Sequence, residues 1–146
     1  MICGPYDSAQ GPPGANDNAS RVAARIEIAP VLAGQQAART VRLVALVNEE
    51  PPFNGTSNMG GWCYANRGKR RSDAIAAMLS FETLDSHSDD VVRQRHPIPF
   101  RIFYPPTGYF LASVGKLASG GRVRRAAARF RVRASFSSKG SAAPGR

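Results

Sequence analysis

Short apolar runs alternate with loops rich in glycine, proline and asparagine along the first part of the chain. Apolar side chains recur at helical spacing over residues 18–32, which predicts a helix that Pro30 kinks or ends near Ala29. Two apolar runs, residues 40–47 and 74–81, predict buried strands, although helix competes as an interpretation of the second run. The order of loop, helix and strand indicates a layered α/β domain.

Weaker patterns follow these runs. Residues 62–67 predict a short helix, and residues 110–114 predict a strand. Residues 122–133 are compatible with a helix that carries apolar residues on one face and arginines elsewhere. The intervening segment 83–106 is polar and then rich in proline, which is typical of irregular structure.

Length and composition favour one folded domain. The chain has 146 residues, of which 42% are hydrophobic, so we expect a single partial domain over residues 1–146 with a packed portion at 1–134. The Ser/Ala/Gly-rich segment 135–146 predicts a frayed tail. No apolar stretch is long enough to predict a membrane span, and residues 1–7 show no signal peptide. The two cysteines predict free thiols rather than a disulfide framework.

Charge is distributed unevenly along the chain. All ten acidic residues precede position 91, whereas twelve of the twenty basic residues follow it. Such asymmetry can mark a nucleic-acid surface, and six arginines lie in the segment 122–133: Arg122, Arg124, Arg125, Arg129, Arg131 and Arg133. No aromatic platform or known base-reading motif accompanies them, so we favour a solvated helix face over a specific nucleic-acid-binding module.

Acidic residues follow both predicted strands. Glu49 and Glu50 end the first run, Glu82 ends the second, and Asp17 begins the predicted helix after a glycine-rich loop. Taken singly, each is typical of a solvated strand end or a helix N-cap. Because ligands of α/β sheets bind beyond the carboxyl ends of the strands, the four together indicate one acidic crevice suited to divalent cations.

Three stretches carry a family resemblance: GPYDSAQGPPGANDNAS, ARTVRLVALVNEEPPF and MLSFE. Over about residues 2–90 the chain resembles the two-zinc metallopeptidase family of bacterial leucyl aminopeptidase, aminopeptidase Y and glutamate carboxypeptidase. The resemblance implies a three-layer α/β/α sandwich with a mixed central sheet, here incomplete at both ends. Missing strands would leave open sheet edges.

The resemblance also implies residue roles. Asp17 would bridge two zinc ions, and Glu49 would be the general base. Glu50 would be a terminal ligand of one zinc ion and Glu82 a terminal ligand of the other. The substrate would be a peptide, hydrolysed by a metal-activated water. The peptide bond between Asp17 and Asn18 would be cis.

Departures from the family pattern weaken this expectation. Pro5 occupies the position of a histidine ligand, which would leave Asp7, the residue expected to orient that ligand, with nothing to orient. The family's last histidine ligand has no counterpart in this sequence. His87 and His96 are candidates to substitute for it, but neither matches a family ligand, and a histidine in a polar loop is more often simply exposed. Arg21 stands where the family usually has glycine.

The sequence therefore leads to one favoured function and two alternatives. We favour a zinc-dependent, aminopeptidase-like metallopeptidase with weakened zinc binding and impaired activity. The alternatives are a non-catalytic pseudo-peptidase and a basic nucleic-acid-binding surface over residues 122–133. Family members are often exported or periplasmic, but the sequence indicates neither the compartment nor the oligomeric state of this chain.

Overall fold

The structure is a computed structural model that describes residues 1–84, 87, 88, 90 and 107–143. It divides the chain into two compact units, Met1–Ser86 and His87–Arg146. The sequence had favoured one domain, and that interpretation stays a prediction. Most of the segment 83–106, predicted to be irregular, lies outside the described residues.

A three-stranded parallel sheet forms the centre of the first unit. Its strands are β1 (Ile2–Pro5), β2 (Leu43–Leu46) and β3 (Leu79–Ser80), in the order β2-β1-β3. Ile2 of β1 pairs with Leu43 on one side and with Leu79 on the other. Because β1 is central, it is the most buried of the three. The sequence analysis predicted no strand there, because a four-residue run ending in Gly-Pro carries too weak a pattern.

Helix α1 (Arg21–Ala33) follows a kinked turn at Ala15–Ser20, in which Asp17 has non-helical backbone angles, and packs on β1. It continues through Pro30 to Ala33, so the expected end near Ala29 was wrong. The expected apolar face was also wrong, since Ile26 is 64% exposed.

Two arginines, Arg21 and Arg25, take the buried positions of α1 instead. They lie four residues apart and therefore share one face of the helix. Arg25 donates a hydrogen bond of 3.2 Å to the carbonyl oxygen of Pro5. Gly4 leaves room for this side chain, because a Cβ atom at that position would overlap the Arg25 guanidinium in its present position. Polar partners at the end of β1 thus decide which face of the helix is buried.

The remaining elements of the first unit differ in extent from the predictions. Helix α2 covers Gly60–Arg70 and is longer than the predicted 62–67. Strand β2 is shorter than the predicted 40–47. The predicted buried strand at 74–81 reduces to the two exposed residues of β3. That run has little β-branched character, and its alanines bury too little surface to hold a longer strand.

In the described part of the second unit, one helix covers a parallel pair of strands. Strands β4 (Leu111–Lys116) and β5 (Ser138–Ala143) pair in register, Leu111 opposite Ser138. A 3₁₀ turn at Leu117–Ser119 leads into helix α3 (Gly120–Arg133), which packs on both strands. A Cβ atom at Gly115 would lie 2.7 Å from Val123, so the glycine permits this close packing.

The strand β5 occupies part of the segment 135–146 that was expected to fray. Its small side chains carry little β-propensity, and pairing with β4 supplies the backbone hydrogen bonds that order them. Strand β4 and helix α3 agree with the predicted strand and helix in this region.

The described residues form a mixed α/β fold built on parallel strands. The three-layer sandwich and the mixed sheet stay predictions. Cys3 is buried and Cys63 exposed, and both are free, as predicted. Within the described ranges, none of the helices has the length and apolar character that crossing a membrane requires.

Candidate functional site

The carboxyl ends of the parallel strands bring acidic residues to one edge of the first unit. Asp7 lies two residues beyond β1, Glu49 and Glu50 lie beyond β2, and Glu82 lies beyond β3. Asp17 joins them from the kinked turn that precedes α1. The Asp17–Asn18 peptide bond is cis, which confirms the prediction.

A single guanidinium group lies among these carboxylates. The Nη2 atom of Arg21 contacts the Oδ1 atom of Asp17, and it lies 2.6 Å from the Oε2 atom of Glu82. The Nη1 atom of Arg21 lies 3.8 Å from the Oε2 atom of Glu49. Because Asp17 and Glu82 contact the same nitrogen, their oxygens are within about 6 Å of each other, twice a hydrogen-bond length. The predicted convergence of these acids is therefore present, with Arg21 at its centre.

Burial distinguishes Arg21 from its partners. The Arg21 side chain is only 3% exposed, whereas those of Asp17, Glu49 and Glu82 are 51%, 34% and 62% exposed. A buried charge requires compensation by opposite charge or hydrogen bonds. The carboxylates supply that compensation while their outer oxygens remain in contact with water.

Asp7 holds the two glutamates of the cluster in place. Its Oδ2 atom accepts hydrogen bonds from the backbone N–H groups of Glu49, at 2.9 Å, and Glu50, at 3.1 Å. The fully buried Asn18 side chain in turn donates to the Asp7 carbonyl oxygen. Asp7 therefore fixes the backbone after β2, a role that the sequence did not indicate. That Asp7 has no histidine ligand to orient, because Pro5 stands at that position, stays a prediction.

Burial and mutual repulsion shift the pKa values of two of the acids, Glu50 and Glu82. Burial raises the pKa of Glu50, and the neighbouring Asp17, Glu49 and Asp7 add to this effect while Arg21 opposes it. Burial likewise raises the pKa of Glu82, which Arg21 lowers and the neighbouring carboxylates raise. The charges of Asp17, Glu49 and Arg21 thus act on both Glu50 and Glu82.

The residues present do not fit a zinc pair in this arrangement. Catalytic zinc takes three protein ligands, frequently including histidine. Among the described residues, no group of three or more His, Cys, Asp or Glu side chains could hold a metal ion. Arg21 already occupies the space between the acids and brings a positive charge there. Sequence reasoning missed this role, although the spacing of four residues between Asp17 and Arg21 is a typical helical ion-pair signal.

Of the two histidines, only His87 lies among the described residues. The His87 ring lies in the second unit, with its centroid 4.7 Å from that of Phe136 and 6.3 Å from that of Tyr109. These are edge-to-face contacts of the kind found in aromatic clusters. His96 lies outside the described residues.

Comparisons with known proteins relate the sequence around this acidic site to a family of peptidases. The sequence profile of the family described as peptidase family M28 matches residues 1–98. The uncharacterised protein YfbL of Escherichia coli (strain K12) is 35% identical over 114 residues, which cover 77% of this chain and 34% of that protein. A "probable zinc metalloprotease" of Leptosphaeria maculans is 33% identical over 112 residues, which cover 75% of this chain and 25% of that protein.

This chain thus spans about a third of the first relative and a quarter of the second. No solved structure matches it. The profile match nevertheless covers more than half of the chain and includes every acid of the site. The chain therefore belongs to peptidase family M28, as its resemblance to the two-zinc peptidases predicted.

Proposed function

We propose that this chain is a metallopeptidase-like domain, of the aminopeptidase type, whose own zinc binding and peptide hydrolysis are impaired. The observation that carries the proposal is the position of Arg21 among Asp17, Glu49 and Glu82. The acids that the family resemblance names as bridging ligand, general base and terminal ligand lie together. Their charge is compensated by the Arg21 guanidinium.

The family relationship supports a peptide substrate and zinc as the cofactor. Zinc would polarise the scissile carbonyl and activate a water in a complete site. In this chain the Oε2 atom of Glu49 lies 3.8 Å from the Nη1 atom of Arg21, so a cation lies beside the residue that would act as the general base. Asp7 would keep Glu49 and Glu50 at the carboxyl end of β2 whether or not a substrate is present.

Hydrolysis of an aminoacyl p-nitroanilide, with and without added zinc, tests the proposal. We expect release of p-nitroaniline at the rate of the buffer control, and the same rate for the Glu49→Gln variant. A zinc-dependent rate that a chelator abolishes, and that Glu49→Gln also abolishes, would contradict the impairment. It would assign full metallopeptidase activity to the chain.

The second candidate is a pseudo-peptidase that binds peptides without cleaving them. The outer oxygens of Asp17 and Glu82 favour it, because both side chains are more than half exposed at the edge of the sheet. An exposed pair of carboxylates suits a peptide's terminal ammonium group. A fluorescent peptide with a free amino terminus should then bind more tightly than its acetylated form, and equal binding of the two would eliminate this candidate.

A further inference from the structure

We propose that Arg21 is a resident counter-ion of the carboxylate cluster, which keeps the cluster assembled without metal and excludes divalent cations from it. The inference deepens the proposed function and rests on it, because it names the group that stands in the metal position. It concerns binding rather than hydrolysis. Its test therefore has an outcome of its own.

Geometry is the first support. The guanidinium contacts acids that arrive from three separate places: the turn before α1 (Asp17), the segment after β2 (Glu49) and the segment after β3 (Glu82). These segments are far apart in the sequence, and their carboxylates repel one another at short range. One cation at their centre removes that repulsion. A metal ion has this function in a metal centre, and here a covalently attached side chain has it.

The placement of Arg21 in α1 explains how the side chain reaches the cluster. It is the first residue of the helix, and helical side chains tilt towards the N-terminal end. That end faces Asp17, four residues earlier. A glycine at position 21 would leave the same space open, because it has no side chain to place there.

The hydrogen bonding of Arg21 shows that charge, more than complete hydrogen bonding, holds the side chain in place. Its Nε and Nη1 atoms are buried, and they have no hydrogen-bond partner in the part of the chain that the structure describes. The guanidinium therefore neutralises the acids through its ion pairs, while two of its buried nitrogens have no acceptor among the described residues.

Exclusion of metal follows from the same arrangement. A divalent cation that approached Asp17 and Glu82 would meet a guanidinium that is 97% buried and permanently charged. Weak screening at a buried group makes that repulsion large. Removal of the guanidinium leaves carboxylate oxygens, which are ligands suited to Mn²⁺ and, less selectively, to Zn²⁺.

The experiment compares metal affinity in the intact chain and in three variants, Arg21→Gly, Arg21→Met and Arg21→Lys. Calorimetric titration with Zn²⁺ and the electron paramagnetic resonance signal of free Mn²⁺ report binding without reference to activity. We expect Arg21→Gly and Arg21→Met to bind at least tenfold more tightly than the intact chain. Arg21→Lys, which keeps the charge, should bind as weakly as the intact chain.

Two further variants locate the effect. Asp17→Asn added to Arg21→Met should remove the gain in affinity, because Asp17 shares the central nitrogen with Glu82. Arg39→Met replaces an exposed arginine of the same unit and should change nothing. If Arg21→Met is unfolded without metal, its folding should be restored by Zn²⁺ in a thermal-shift measurement, and absence of any restoration would overturn the proposal.

The outcomes separate this inference from the proposed function. Equal affinity of the intact chain and the folded Arg21→Met variant would overturn the role of Arg21, whether or not peptides are hydrolysed. Chelator-sensitive hydrolysis by the intact chain would overturn the impairment. The difference in metal affinity between the intact chain and the Arg21 variants would still decide whether Arg21 excludes divalent cations.

Discussion

Arginine occurs in two contrasting settings in the two units of this chain. In the first unit, Arg21 is buried among three acids. In the second unit, the six arginines of α3 are all exposed, on a segment that follows the last acidic residue of the chain. The first setting fixes one side chain in one geometry, whereas the second leaves most of the charge in water.

The contrast shows that net charge is a poor guide to function here. The formal charge of +10 draws attention to the arginine-rich helix. Exposed charges are largely screened and contribute little to stability. A single buried guanidinium, which changes the net charge by one, determines how the family's acidic site is occupied. Location, and not number, separates the two kinds of arginine.

The largest expected effect comes from removing the buried arginine in the absence of metal. Arg21→Met leaves the carboxylates without a counter-ion, and we expect a loss of about 3 kcal/mol in the free energy of unfolding, at the low end for a broken buried ion pair because its partners are partly solvated. Urea denaturation followed by Trp62 fluorescence measures it, since Trp62 is the single tryptophan and lies in α2 of the same unit.

The control for this measurement is Arg39→Met, an exposed arginine of the first unit. It should change the free energy of unfolding by less than about 0.5 kcal/mol. Equal effects of the two substitutions would break the contrast between buried and exposed arginines.

Asp7 provides the next largest effect. Asp7→Ala removes the acceptor of the Glu49 and Glu50 backbone N–H groups. We expect a loss of about 2 kcal/mol, because two hydrogen bonds to a charged group disappear. Asp7→Asn keeps one oxygen acceptor and should lose about half as much, again by urea denaturation. If both variants are as stable as the intact chain, Asp7 does not hold the segment after β2.

The sequence predicted the acidic part of this site well. Glu49, Glu50 and Glu82 follow apolar runs, and the carboxyl ends of parallel strands must lie at one edge of a sheet. That argument needs only strand positions to within a few residues. It survived although β3 has only two residues and β2 is shorter than its apolar run.

The buried arginines could not be predicted in the same way. The apolar spacing of α1 favoured burial of Ile26, yet the helix buries Arg21 and Arg25. Their partners are a carboxylate cluster and the Pro5 carbonyl oxygen, both supplied by other segments. Local periodicity contains no information about such distant partners. Strand β5 was missed for the same reason, because its pairing with β4 orders a segment of low propensity.

A smaller effect, on binding to a nucleic-acid duplex, is expected from the exposed arginines of α3. If the helix neutralises two phosphates, its affinity for a 20-base-pair duplex should fall about tenfold when salt rises from 50 to 200 mM. Replacement of Arg122, Arg125 and Arg129 by glutamine should weaken binding equally for all duplex sequences. Fluorescence anisotropy with two unrelated duplexes measures both effects. Strong preference for one duplex, retained at high salt, would mean that α3 recognises a specific base sequence. The contrast between a buried arginine with a defined role and exposed, solvated arginines would then fail.

The smallest expected effect is that of an exposed ion pair on stability. This pair lies in the same unit as Arg21, so it compares a buried and an exposed arginine within one unit. Arg42 Nη1 lies 2.8 Å from the Oδ2 atom of Asp73, with the two side chains 49% and 23% exposed. The hydrogen bond from Arg42 lowers the pKa of Asp73 below its ordinary value of 3.8. An acid with a lowered pKa stabilises the fold above its unfolded-state pKa, and the contribution is lost as pH falls through the folded-state value.

We therefore compare the urea midpoints of the intact chain and of Asp73→Asn from pH 6 to pH 2. The intact chain should be slightly more stable at pH 6, and the difference should shrink below about pH 5 and disappear at the acid end. Glu50 and Glu82, whose pKa values are raised, change stability in the opposite sense. They are present in both proteins, so the difference between the two isolates Asp73. In the Arg42→Gln background the same comparison should show no pH dependence, and a difference as large as that of Arg21→Met would mean that exposed and buried pairs contribute alike.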